Sequence, residues 1–167
     1  MAERESANLN PLELVEASSR QKAQEVASGL RGAIVIGADT VIAVDDAVIG
    51  KPRDREEARR ILRLISGREH RVITGFTVID TDSGKTFYQA VTTRVFMKRM
   101  TPGEIEAYVD TGEGLDKAGA YAIQGRGAVL VERIEGDYAN VVGLPLCAVA
   151  GALERFGIEV LNPGKEL

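Results

Sequence analysis

The sequence predicts an α/β fold in a single domain spanning residues 1–167, on three observations. Apolar residues recur at helical spacing in some stretches and at period two in others. The two kinds of stretch are mixed along the chain, with long hairpin-forming runs in its second half, which reads as α/β or α+β. The chain has 167 residues, 44% hydrophobic and 28% charged, enough to bury a core without disulfide or metal staples.

Taken in order, Pro11 to Leu30 reads as a helix with Leu12, Val15, Ala23, Val26 and Ala27 at roughly helical spacing and Gly29 closing it. Ala33 to Val44 is strand-rich, with a break expected at the turn Gly37-Ala38-Asp39-Thr40, and Asp45-Asp46 reads as a hairpin tip. Asp54 to Ser66 is a second helix. Asp54 can cap it, Glu57 stands at the capping-box position, and Ala58, Ile61, Leu62 and Ile65 form its buried stripe. The period then changes to two. Arg71 to Thr81 and Thr86 to Lys98 are strands joined by a hairpin turn at Asp82-Ser83-Gly84-Lys85. Thr101-Pro102-Gly103-Glu104 opens a third helix with Ile105, Tyr108 and Val109 inward and Gly112 at its end. A glycine-rich stretch, Gly114 to Gly127, leads to a strand over Ala128 to Ile134, and Pro145 to Phe156 is the last helix.

Composition excludes several classes. A net charge of -4 argues against a dedicated nucleic-acid binder. No apolar run approaches the ~18–20 residues that span a bilayer, so no membrane partner is expected. The opening MAERESANLNP is polar and acidic, unlike a signal peptide. Cys147 stands alone, which rules out an intramolecular disulfide and fits a reducing, cytoplasmic setting. Its apolar neighbours Leu144, Leu146 and Val149 predict a buried helix cysteine.

Four features could carry chemistry. Asp39 follows a buried strand, where α/β folds keep working residues; it can act as a general base, hold a divalent cation, or simply cap a turn. Lys51, between Gly50 and Pro52, is a point-charge partner for phosphate or a solvated hairpin lysine. In the segment 114–125, small residues let a planar ligand lie close, and Gln124 offers a donor and an acceptor to a base edge; a tight loop is the other reading. It is neither a Walker A loop nor a dinucleotide fingerprint. His70 is the only histidine and reads as structural, since nothing completes a metal set or a triad around it.

Together the motifs Gly-Ala-Asp-Thr (37–40), Gly-Lys-Pro (50–52), Ser-Gly-Arg-Glu-His-Arg-Val-Ile-Thr-Gly (66–75), Asp-Lys-Ala-Gly-Ala-Tyr-Ala-Ile-Gln-Gly (116–125) and Asn-Val-Val-Gly-Leu-Pro-Leu (140–146) closely resemble the Maf family of nucleoside triphosphate pyrophosphatases. The resemblance runs to about Ile158. It implies an elongated mixed sheet with flanking helices and a cleft between two lobes, like that of the inosine triphosphatase group. It implies hydrolysis of a nucleoside triphosphate to the monophosphate and pyrophosphate with Mg²⁺ or Mn²⁺. By the same resemblance, Asp39 is the proton acceptor and a metal ligand, and Lys51 and Lys22 contact phosphates. Thr40 and Gln124 are tied to substrate choice, with Lys117 beside them in the Asp-Lys-Ala-Gly motif. The motif at 116–125 is similar to the dTTP/UTP branch. Relatives suggest a homodimer.

The family pattern also opens with a strand and a Ser-x-Ser-Pro-Arg-Arg loop that this sequence does not carry, the expectation being a late start or a truncated form. Counting back from Lys22, Glu3 matches an acidic residue tied to activity. A non-catalytic nucleotide-binding regulator of septum formation and a hydrolase of modified nucleotides are the competing readings.

Overall fold

A computed structural model describes residues 10–162, so Glu3 lies outside the described residues. Five strands form one sheet in the order β2-β1-β3-β4-β5, with β1 Ile34–Val44, β2 Ala47–Ile49, β3 Glu69–Asp80, β4 Thr86–Met97 and β5 Val131–Glu135. Every pairing among them is antiparallel. The tip between β1 and β2 is Asp45-Asp46, both at positive φ (47° and 66°), as a two-residue hairpin turn requires. The β3–β4 turn closes through Gly84 N–H to Asp80 O at 2.9 Å. β1 runs unbroken through Gly37-Ala38-Asp39-Thr40, against the expected turn. Asp39 pairs with Gly75 and Thr40 with Thr74, so Asp39 caps nothing.

The reason for Gly37 lies above the sheet. Helix α1, Pro11–Ala27, lies along β1 and β3. A Cβ at Gly37 would sit 2.4 Å from Ser19 O, and one at Gly75 would sit 2.8 Å from Val15 O. The glycines therefore let helix backbone rest on strand backbone. The face of α1 that this buries is Val15, Ser19 and Ala23, spaced by four; Leu12 and Val26, expected inward, are about half exposed. Ser19 Oγ meets Thr77 Oγ1 at 3.0 Å and fixes the register between helix and strand.

The opposite face has two covers. Helix α2, Arg55–Ile65, and helix α3, Pro102–Asp110, pack with Ile42, Val44, Val72, Val95 and Met97 into the larger core. Helix α5, Leu146–Glu154, sets Val149 and Ala152 against Phe76 and Val78. Between these cores the strand rows carry Thr40 and Thr74, hydroxyl to hydroxyl at 2.9 Å. The apolar face is interrupted there, and a cleft opens beside Thr40.

The ends of these helices follow their sequences, with one exception. Asp54 accepts Glu57 N–H, but the Glu57 carboxylate takes Arg53 N–H rather than completing a capping box on Asp54. Thr101 and Glu104 do form the reciprocal box on α3. Residues 128–130, expected as strand, belong to a 3₁₀ segment, Gly125–Leu130. A short helix α4, Tyr138–Val142, capped by Asp137, precedes the bend at Gly143. On α5 the inward residues are Val149 and Ala152, which leaves Cys147 exposed and corrects the expectation that it is buried. Among the described residues no helix is long and apolar enough to cross a membrane.

Candidate active site

The cleft holds a cavity of about 230 Å³. Its floor is Thr40, Ile42 and Val72 of the sheet, one wall is Lys51 with residues 116–118 and 121–124, and the other is Val141 to Gly143. Four sequence-predicted residues, Thr40, Lys51, Lys117 and Gln124, thus converge on one cavity from three separate stretches of chain. Thr40 Oγ1 also reaches Gly143 O at 3.2 Å and joins the floor to the far wall. Gly119 N–H donates to Gly50 O at 3.2 Å, which ties the glycine-rich loop to the turn bearing Lys51. Lys117 rests on its neighbour Asp116 at 3.1 Å. The side chains of Lys51 and Gln124 make no hydrogen bond or ion pair among the described residues, and Gln124 is exposed, so both are available to a ligand.

Asp39 and Lys22 lie elsewhere. Successive strand residues point to opposite faces, and Asp39 points to the α1 face while its neighbour Thr40 points into the cleft. Lys22 Nζ, from α1, meets Asp39 Oδ1 at 2.5 Å and Ala38 O at 3.2 Å. The helix seated on Gly37 and Gly75 brings that ammonium to the carboxylate, which remains about a quarter exposed. The two predicted groups of residues therefore occupy two faces of one strand. They are joined across the margin of β1, where residues 34–41 have no strand neighbour on the side away from β3 among the described residues.

No three His, Cys, Asp or Glu side chains gather into a ligand set among the described residues. The donor chemistry instead suits a shared ion: magnesium-type cations are commonly held by one or two carboxylates plus substrate phosphates. Asp39 has one oxygen on Lys22 and the other without a partner among the described residues.

The glycine-rich wall is held by a residue that sequence reasoning passed over. The Glu113 carboxylate accepts from Tyr108 Oη–H at 2.8 Å, Arg126 N–H at 2.9 Å and Gly127 N–H at 2.8 Å. Those amides and the phenol hold it below the usual carboxylate range. Tyr108 Oη accepts in turn from Ala122 N–H at 3.1 Å, and burial pushes its own pKa up to about 12. The signal was Glu113 between two glycines, which reads as a solvated acid. Gly114 and Gly127 are needed because a Cβ there would stand 2.1 Å from Ala120 O and 2.0 Å from Ala122 O.

Two buried polar groups brace the walls. Asn140 is fully buried; its amide donates to Val72 O at 3.1 Å and Thr93 Oγ1 at 3.0 Å, pinning α4 to the sheet. His70 Nε2 meets the hydroxyl of the cavity residue Tyr121 at 2.7 Å, and burial lowers the histidine to about 4. It is neutral at ordinary pH and structural, as expected.

The profile of Maf-like proteins matches residues 1–156. The chain belongs to the Maf family. It is 52% identical over 154 residues to the dTTP/UTP pyrophosphatase of Alkaliphilus metalliredigens, covering 91% of this chain and 80% of that protein. It is 49% identical to the dTTP/UTP pyrophosphatase of Dictyoglomus thermophilum, over 91% of this chain and 79% of that one. The protein so named in Methanosarcina barkeri is 46% identical, over 93% and 79%. The resemblance implied an elongated mixed sheet with flanking helices and a cleft between two lobes; helices do flank the sheet, whose five described strands pair antiparallel throughout.

Proposed function

We propose that this Maf protein hydrolyses dTTP and UTP to the monophosphate and pyrophosphate. One observation carries the reading: Thr40 and Gln124, Lys51 and Lys117 share a cavity, and Asp39 with Lys22 stands one strand residue away. The cavity is smaller than the ~300–1,000 Å³ of a site that encloses a drug-sized ligand. It takes the pyrimidine and sugar and leaves the triphosphate to the rim. The phosphates then run past Lys51 and over the margin of β1 to Asp39. Gln124, with an amide donor and acceptor, and Thr40 read the base edge.

On the other face, Asp39 takes a proton from the attacking water. The water oxygen bonds to the α-phosphorus as the bond to the bridging oxygen breaks, and pyrophosphate leaves with that electron pair. Lys22 orients the carboxylate, and Lys51 meets the negative charge that gathers on the leaving phosphates. Asp39, with the substrate phosphates, would hold Mg²⁺ or Mn²⁺, which supplies further neutralisation of phosphate charge. The setting is cytoplasmic and the assembly a homodimer, which sedimentation would test.

The test is pyrophosphate release from dTTP, UTP, dCTP and dATP with Mg²⁺ or Mn²⁺. Release from dTTP and UTP ahead of the others is expected, and Gln124→Ala should erase the preference for dTTP over dCTP. A melting point raised by dTTP without any release would replace hydrolysis with a binding role.

A further inference from the structure

We propose that Glu113 determines base specificity without touching the base, as the positioning residue that fixes Gln124. The inference rests on the proposed reading of the cavity. Its ground is where the Glu113 bonds fall. Oε1 takes Arg126 N–H and Oε2 takes Gly127 N–H, two and three residues after Gln124. Oε2 also takes the Tyr108 hydroxyl, whose oxygen holds Ala122 N–H, two residues before Gln124. One carboxylate thus pins the chain on both sides of a residue whose own side chain has no partner among the described residues. Glycine at 125 and 127 leaves the backbone soft at those points; a Cβ at Gly125 would lie 2.2 Å from Glu113 Oε1. The stiffness that a base-reading amide needs must come from the carboxylate.

The requirement is for acceptors only. Every group that Glu113 meets is a donor, so a carboxylate satisfies all three while a carboxamide cannot. In Glu113→Gln the new NH₂ must face a backbone N–H or the Tyr108 hydroxyl, which already uses its acceptor side on Ala122 N–H. At least one tie is lost whichever way the amide turns: Arg126 N–H with the NH₂ in the place of Oε1, Gly127 N–H and the Tyr108 hydroxyl with it in the place of Oε2. The loop slackens beside Gln124 while Asp39, Lys22 and Lys51 keep their own supports.

The experiment measures dissociation constants for dTTP and dCTP by calorimetry without divalent cation, so that no turnover intervenes. Wild type, Glu113→Gln, Tyr108→Phe, Gln124→Ala and the Glu113→Gln/Gln124→Ala double variant are compared, with melting curves as the check on folding. Glu113→Gln should lower the dTTP preference about tenfold, the scale of one lost polar discrimination. Tyr108→Phe, which removes the Ala122 tie and the phenol's own bond to Glu113 but leaves the Arg126 and Gly127 ties, should lower it about threefold by the same argument, and it decides the matter alone if Glu113→Gln does not fold. The double variant should discriminate no worse than Gln124→Ala. An unchanged preference in the folded variants overturns the proposal, as does a wild type without preference. So does a double variant whose losses multiply, because Glu113 would then act independently of Gln124. If the preferences behave as expected while the wild type releases no pyrophosphate, hydrolysis falls and the role of Glu113 stands.

Discussion

On one face of the sheet a single helix lies along β1 and β3, so close that glycine is required beneath it at 37 and 75. On the other face the cover is split, and the threonines at 40 and 74 meet at the division, with Thr40 facing a cavity. The closed face gains rigidity and gives up room, and it carries the Asp39–Lys22 pair of the predicted chemistry. The open face gains room, and its walls then need separate braces at Glu113, Asn140 and His70. Asp39 and Thr40, adjacent in sequence, show that a strand can serve both kinds of site at once, with position assigned to one face and selection to the other.

The largest expected effect belongs to the closed face. Asp39→Asn should lower turnover of dTTP by ~10²–10⁴-fold, the usual range for a lost general base, with little change in melting temperature. Turnover at the wild-type rate would move the chemistry to the cleft and collapse the division of labour. Next comes the seat of the helix. Gly37→Ala places a methyl against Ser19 O and should cost roughly 3 kcal/mol, the upper end for overpacking. Thr40→Val, on the open face, removes the hydroxyl bonded to Thr74 Oγ1 and Gly143 O and should cost about 1–1.5 kcal/mol, the scale of a lost hydrogen bond. Denaturant titration that found the two equal would show the faces to be equally tolerant.

The open face has its own signature in pH. His70 is lowered to about 4 by burial, so the unfolded chain, with an ordinary histidine near ~6.5, binds the proton first. The stability from keeping it neutral is complete above pH ~6.5 and is lost as pH falls to about 4, in total about 3 kcal/mol. His70→Gln should flatten the stability profile in that window; an identical slope in both proteins would place it on other groups. The smallest effect is at the rim. Lys51→Ala should weaken dTTP binding by about one to two decades, the scale of a charge-assisted contact, and leave stability alone. A shift in melting temperature instead would make Lys51 part of the fold.

Much of this was legible in the sequence because it depends on local rules. The stripe Ala58, Ile61, Leu62 and Ile65, the helix start at Thr101-Pro102, and the turn before Lys85 each need only neighbours in the chain. The convergence of Thr40, Lys51, Lys117 and Gln124 could be expected through family motifs. What could not be read were long-range causes. Gly37 looked like a turn signal because its true partner, Ser19, lies on another element. Cys147 looked buried because its neighbours are apolar, yet the pitch of α5 sends Val149 and Ala152 inward instead. Glu113 serves amides at Arg126 and Gly127, thirteen and fourteen positions on, and no local pattern announces such a bond.

Ala120 adopts φ 58°, a left-handed conformation unusual for a residue with a side chain. That conformation costs alanine about 1–2 kcal/mol. Glycine would relieve it, but would give up a buried methyl worth about 0.8 kcal/mol and add about 0.4–1 kcal/mol of freedom to the unfolded chain. The sums nearly cancel. An engineer who replaces Ala120 with glycine to relax the backbone should therefore gain almost no heat resistance and lose stiffness in the loop, because at this position alanine supplies rigidity at no net thermodynamic cost.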